Sequence, residues 1–284
     1  MDLRLVDHLS LRSEAVRVSG KGRRDQGVKM QKAIGIIGSG MIGKQVAKLA
    51  LDAGYKVAIC NSRSPETLAE FVTSLKGDIR ALNLESMANF TDMLVVAIPF
   101  EAYTKLPTKL LAGKIVINTM NYYPQRDGVM QEVRTDVITT SELVQRHLVN
   151  SRVVRALNNV DFVRLLSLAR AAGSKERSAL PVAADDEGAK AAVVKFLDDI
   201  GYDAVDMGVL KDSWRSEPTT PVYVSPYWGV DKNKPLTAEQ IEGFMSAPGC
   251  VTDKDKVRSL LAAAIRHDKM FGMLGQYDTR SKRK

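Results

Sequence analysis

Cysteine, histidine and aromatic residues are scarce in this 284-residue chain, with two cysteines, three histidines and 6% aromatics. Cys60 and Cys250 lie far apart, which excludes a disulfide framework and any close metal-ligand spacing. His8, His147 and His267 are scattered and suggest neither a metal centre nor a nucleophile with its histidine base. Long apolar runs are also missing. The longest, Met93 to Phe100, is far shorter than the roughly 20 residues that span a bilayer. The first residues carry Asp2, Arg4, Asp7, Arg12, Glu14 and Arg17 around no apolar segment, unlike a secretory signal. A soluble protein of the reducing cytoplasm, without a membrane partner, is expected.

Charge of one sign is lacking from the body of the chain. The net charge is +8, but residues 1–32 hold eight basic and four acidic side chains, and residues 276–284 hold four basic and one acidic. Only +1 is left for residues 33–275, so no nucleic-acid groove is expected there. The tail from Arg280 to Lys284 reads as solvated.

What is present is an alternation of strands and helices. Ala33 to Ile37 is a continuous apolar run, as in a central strand covered on both faces. Residues 41–53 place Ile42, Val46, Leu49, Ala50 and Ala53 at helical spacing, and Lys56 to Cys60 gives a second strand. A helix opening at Pro65 with Ser64 as cap follows, then strands at 93–98 and 114–118 separated by a helix over roughly 101–111, which Pro107 fits badly. Further elements are a helix at 141–148, a strand at 152–157, a helix at 165–171, a strand at 180–184, a helix at 187–200 and a strand at 204–207. After about residue 211 proline and aromatic residues interleave, and helices are predicted at 238–245 and 254–270. The pattern predicts an α/β protein, a Rossmann-type doubly wound parallel sheet with a smaller C-terminal helical appendage. The expected divisions are a mobile tail over 1–32, a nucleotide-binding domain over 33–150, a continuing α/β segment over 151–212 and the appendage with its basic tail over 213–284. Met30, just before the first apolar run, is an alternative start.

Gly38-Ser39-Gly40-Met41-Ile42-Gly43 is a G-x-G-x-x-G motif between a buried-type strand and an amphipathic helix. Gly38 suits the tight turn, Gly40 admits a pyrophosphate against the backbone, and Gly43 lets the helix approach the strand. Amides at the helix start would face the phosphates. At the end of the second strand, where an NAD enzyme offers an acid, stand Asn61, Ser62 and Arg63. An Arg can pair with a 2′-phosphate and Ser or Asn can donate to it, so NADP(H) is the better fit. Ligands lie outside the carboxyl ends of such strands, which makes Ala97, Ile98 and Pro99, then Asn121, then Asn158 further binding candidates; the alternative reading of each is a turn residue. Lys44 reads as solvated, Asp185-Asp186-Glu187 as a helix cap with first-turn acids, and Asn89-Phe90-Thr91 as a glycosylation triplet without meaning in the cytoplasm. No catalytic acid, base or nucleophile is assigned. A carbonyl or imine reductase would need a proton donor such as Tyr122, Tyr123 or Lys105, and a nucleotide-sensing module without turnover is a further alternative.

From Ala33 to about Trp214 the chain resembles the NADPH-dependent reductases of coenzyme F420, the F420H2:NADP oxidoreductase family. The resemblance rests on Ile34 to Gly43, Ser62-Arg63, Ala97-Ile98-Pro99, Arg155-Ala156-Leu157-Asn158 and Ala184 to Lys190. It implies that Ser62 and Arg63 hold the 2′-phosphate. It also implies direct hydride transfer between NADP(H) and a deazaflavin ring, which needs positioning rather than a protein nucleophile. Residues 118–124 depart from the family's pattern, and residues beyond about 215 pass its usual end. Another flavin, a quinone or a carbonyl compound therefore stays open as the small-molecule acceptor, and a homodimer as the assembly.

Overall fold

The computed structural model describes residues 32–231 and 234–266, so residues 1–31 of the expected N-terminal tail, the start at Met30, His8, His267 and the basic C-terminal tail lie outside the described residues. In chain order the elements are β1 (Ala33–Ile37), α1 (Met41–Asp52), β2 (Lys56–Cys60), α2 (Ala69–Thr73), β3 (Ile79–Ala81), α3 (Leu84–Phe90), β4 (Met93–Val96) and β5 (Ile115–Asn118). Then come α4 (Pro124–Asp127), α5 (Gln131–Arg134), α6 (Thr140–His147), β6 (Arg152–Arg155), α7 (Phe162–Ser167), β7 (Ala179–Ala184), α8 (Glu187–Asp199) and β8 (Asp203–Asp206). The C-terminal part holds α9 (Ser225–Trp228), α10 (Ala238–Glu242) and α11 (Lys254–Ala262).

The eight strands form one sheet in the order β3-β2-β1-β4-β5-β6-β7-β8. β1 to β6 are parallel, with Gly35 beside Ala58 on one side and Leu94 on the other. The order reverses between β1 and β4, and this switch point places the glycine loop beside the loop after β4. Alternate strand residues feed two cores. Ile34, Ile36, Val57 and Ile59 meet Val46 and Leu49 of α1, Leu165 of α7 and Phe196 of α8. Ile37, Ala58, Leu94 and Val96 meet Met87 of α3 and Leu143 of α6. Gly35 has a packing reason: a Cβ there would stand 2.5 Å from Leu94 Cδ2.

Several expectations change. β7 runs antiparallel to β6, pairing Ala184 with Val154 and Ala183 with Arg155, and β8 follows β7 in parallel. The continuing segment thus reverses the sheet's direction rather than extending it. β3 and α3 fill a stretch in which no element is expected. The helix expected over 101–111 is a 3₁₀ turn, Phe100–Lys105, that ends ahead of Pro107, as the missing amide and the restriction on the preceding residue dictate. Pro65 opens another 3₁₀ turn, and Ser64 stands at its cap position without a side-chain capping bond. The helix expected over 254–270 ends at Ala262, with Ala263 as its cap and residues 264–266 irregular, and its stretch from His267 on lies outside the described residues.

The segment after residue 213 packs into the sheet's far end. Val257 and Leu261 of α11 share a core with Ala179 and Val205. The Thr252 carbonyl accepts from the Ala179 amide at 2.7 Å. Buried Tyr227 donates to the Ala179 carbonyl at 2.8 Å and accepts from Asn159 Nδ2 at 2.7 Å. The Arg164 guanidinium sits 5.0 Å from the Trp228 ring and 4.6 Å from that of Phe244. No helix among the described residues is long and apolar enough to cross a membrane.

Candidate active site

The glycine loop is built by contacts that tolerate no side chain. Gly38 has φ +112°, its amide donates to the Cys60 carbonyl at 3.0 Å, and a Cβ would stand 2.3 Å from the Ala97 oxygen. A Cβ on Gly43 would stand 1.9 Å from the Gly38 oxygen. Gly40 is different. It is exposed, and its missing Cβ faces nothing within 4 Å. The space that glycine preserves there lies outside the protein's own packing. Gly40 is also the N-cap of α1, a 12-residue helix with no side-chain cap and no acidic residue in its first turn. Its first amides therefore lack a side-chain acceptor, the arrangement that suits an anion. Ser39 and Ile42 are half-buried and Met41 is exposed on the same rim.

The structure brings the next candidates against this loop. The Ala97 amide donates to the Ile37 carbonyl at 2.8 Å, so Ala97 and Ile98 line the loop's other wall and exposed Pro99 stands at its edge. At the end of β2, Asn61 builds its own turn: its Oδ1 accepts from the Arg63 amide at 2.9 Å and its Nδ2 donates to Thr67 Oγ1 at 2.9 Å. That turn presents Ser62 and Arg63 to solvent, and among the described residues Arg63 joins no ion pair. An uncapped helix start beside an unpaired guanidinium and a serine hydroxyl fits a nucleotide carrying a 2′-phosphate.

Asn121 and Asn158 are brought together but face each other. Asn121 Nδ2 donates to the Asn158 carbonyl at 2.7 Å, and its Oδ1 accepts from Arg155 Nη2 at 3.0 Å. Asn158 Nδ2 donates to the Ser216 carbonyl at 2.6 Å. Both side chains therefore brace the loops after β5 and β6 through these bonds. Leu157, buried with φ +59°, completes that bend.

Two residues that the sequence does not single out, Glu217 and Tyr223, lie here beside Arg155 and Tyr123, which it does. Arg155, at the end of β6, is wholly buried, and burial lowers its guanidinium to about 10 against the opposing fields of Glu217, Tyr223 and Tyr123. Arg155 Nε and Glu217 Oε2 have no hydrogen-bond partner, although Glu217 Oε1 accepts from the Thr140 hydroxyl. The Tyr123 and Tyr223 hydroxyls bond each other across 100 positions of sequence. Arg155 and Tyr123 are legible in the sequence, whereas nothing there pairs either of them with Glu217 or Tyr223.

Other groups are structural. Asp186 caps α8 through the Ala189 amide, and Asp185 accepts from the Leu210 amide at 2.9 Å. Because β7 runs backwards, both stand away from the glycine loop. Lys44 lies over the Phe71 ring at 4.9 Å, and His147 Nε2 bonds the Leu106 carbonyl at 2.9 Å. Cys60 is buried, which pushes its thiol up to about 11. No cluster of metal-ligating side chains occurs among the described residues.

Comparison with known proteins gives a consistent result. No curated protein matches the chain. A candidate F420-dependent NADP reductase of Arthrobacter sp. FB24 is 25% identical with a TM-score of 0.54, over 63% of this chain and 86% of that one. A hypothetical protein of Sinorhizobium meliloti shares the fold with a TM-score of 0.60 at 21% identity, over 68% of this chain and 93% of that one. The glycine loop, the Ser62-Arg63 turn and the 97–99 wall all fall within residues 33–122, the segment that matches the family of coenzyme F420-dependent NADP oxidoreductases.

Proposed function

We propose that the protein is an NADP(H)-dependent oxidoreductase that exchanges a hydride with a small flavin-like acceptor such as coenzyme F420. The observation that carries this reading is the space kept open at Gly40 over the uncapped start of α1, with Arg63 close by in the turn after β2. The family match over 33–122 supports the cofactor and the reaction class. When bound, NADP(H) supplies the hydride. The chain's own part is to seat the pyrophosphate at residues 38–43, meet the 2′-phosphate with Ser62 and Arg63, and wall the nicotinamide end with Ala97, Ile98 and Pro99. Pro99 and the loops after β5 and β6 then border the acceptor, where transfer depends on alignment and exclusion of water.

Titration calorimetry with NADPH and NADH tests the nucleotide part. Arg63→Ala is expected to weaken NADPH binding about tenfold or more, the loss of a charge-assisted phosphate contact, and to leave NADH binding nearly unchanged. Equal losses for both nucleotides would refute the assignment. A screen of NADPH oxidation against coenzyme F420, flavins, quinones and carbonyl compounds tests the acceptor.

A further inference from the structure

Hydride transfer between two rings uses none of the polar cluster after β5 and β6. Two-electron reduction of most organic acceptors, however, places a proton on nitrogen or oxygen as well as a hydride on carbon. The structure separates the three side chains that could donate it. Tyr122 is buried, donates to the Gly128 carbonyl at 2.8 Å and accepts from the Met130 amide at 2.9 Å, so its hydroxyl is committed internally. Lys105 is exposed at the end of the 3₁₀ turn beyond Phe100. Tyr123 is only partly exposed, and its chain neighbour Tyr122 packs on Phe100 with ring centroids 5.7 Å apart. At the head of the same loop the Thr119 amide donates to the Val96 carbonyl at 3.2 Å, so the loop that carries Tyr123 starts beside the end of β4, where Ala97, Ile98 and Pro99 follow.

We propose that Tyr123 is the proton donor of the acceptor site and that Tyr223, from the C-terminal segment, positions it. The acceptor is then a conjugated C=N or C=O compound, a deazaflavin ring included, that takes a proton on its heteroatom. This rests on the oxidoreductase reading above. In the step, the Tyr123 O–H bond breaks, an N–H or O–H bond forms on the acceptor, and both electrons of the broken bond stay on the phenolic oxygen. Solvent returns the proton afterwards.

The surroundings suit that charge. The Tyr223 hydroxyl can donate to the tyrosinate, the Arg126 guanidinium lies 4.9 Å from the Tyr123 ring, and the buried charge of Arg155 acts on the same phenol. Burial pushes the Tyr123 phenol up, keeping it protonated at neutral pH; Tyr223, Arg126 and Arg155 offset part of that effect, and the Asp127 carboxylate, which pairs with Arg126, adds to it. Arg155 is anchored in turn by Asn121 and the Met120 carbonyl. Tyr223 is held with equal definition. Thr219 at φ +78° and Val224 at φ +55° bracket it, conformations that β-branched residues adopt only when their surroundings impose them. The Val224 amide is tied to the Asn159 carbonyl at 2.8 Å.

The test uses the full chain, Tyr123→Phe, Tyr223→Phe and, as a control, Tyr103→Phe. Oxidised coenzyme F420 is titrated calorimetrically into protein saturated with NADP+, and its reduction by NADPH is followed in H2O and D2O. For Tyr123→Phe we expect roughly three- to tenfold weaker F420 binding, the loss of one hydrogen bond. We also expect turnover at least about a hundredfold slower, within the range for general acid catalysis, with the solvent isotope effect abolished. NADPH affinity stays at the wild-type value. Tyr223→Phe shows a smaller loss of turnover and Tyr103→Phe none. Wild-type F420 affinity, rate and isotope effect in Tyr123→Phe would overturn the proposal. So would a wild-type protein that binds NADPH yet reduces none of F420, a quinone, an aldehyde or a cyclic imine. If Tyr123→Phe does not fold, an unaltered rate and isotope effect in Tyr223→Phe overturns it. Failure of the wild type to bind NADPH instead refutes the underlying oxidoreductase reading, and this proposal with it.

Discussion

At the scale of single residues, the three glycines of the loop separate folding from binding. Gly38 and Gly43 are required by the protein itself, since a methyl group on either would enter the van der Waals sphere of a carbonyl oxygen. Gly40 has no such reason inside the protein, because its Cβ would meet open space. Its φ is −71°, an ordinary value for any residue, so alanine brings no backbone strain there. Gly43→Ala is therefore expected to lower the melting temperature by several degrees, whereas Gly40→Ala should melt like the wild type. Affinity for NADPH should nevertheless fall at least about tenfold in Gly40→Ala, about 1.4 kcal/mol of lost phosphate contact. Differential scanning fluorimetry and calorimetry on the same samples check both halves. Unchanged affinity in Gly40→Ala would place the pyrophosphate elsewhere.

At the scale of elements, the C-terminal segment belongs to the architecture rather than to its margin. α11 lays Val257, fully buried, against Ala179 of β7 and Val205 of β8. A carboxylate buried at that point loses its hydration inside an apolar contact and costs roughly 3 kcal/mol or more. Val257→Asp should accordingly melt about 6–12 °C lower, at the sensitivity expected of a chain of this size. The fraction that stays folded should bind NADPH as the wild type does, because α11 lies against the opposite end of the sheet from α1. The same elements show what the sequence discloses. β1, α1, β2 and α8 are legible because each has one strong period and a local stop. β3 is not, since three residues with one buried side chain leave no run to detect. The reversal at β7 is invisible because hydropathy carries no strand direction. The nucleotide end of the site is a contiguous motif and could be read, whereas Tyr123 and Tyr223 meet only through the fold.

At the scale of the whole molecule, one network ties the start of the described chain to α8. Lys32, just ahead of β1, Tyr55, just ahead of β2, and Lys195 all bond Asp199, the last residue of α8. The edge of the nucleotide-binding half is thereby fastened to an element nearly 170 positions later. Burial by itself would push the Asp199 carboxyl up, but the bonds from Lys195, Lys32 and Tyr55 overcome it and hold the group at about 2. In the unfolded chain the carboxyl returns to its ordinary value of 3.8. The folded state then binds fewer protons than the unfolded one between these values, so stability falls as the pH falls. The contribution is complete above about pH 4 and is lost as the pH approaches 2. Asp199→Asn removes the titrating group and with it this part of the acid response. Urea unfolding midpoints measured from pH 5 to pH 2 should decline less steeply for Asp199→Asn than for the wild type, with the two curves converging at the acid end. Parallel curves over that range would mean that the network contributes nothing to the union of the two halves.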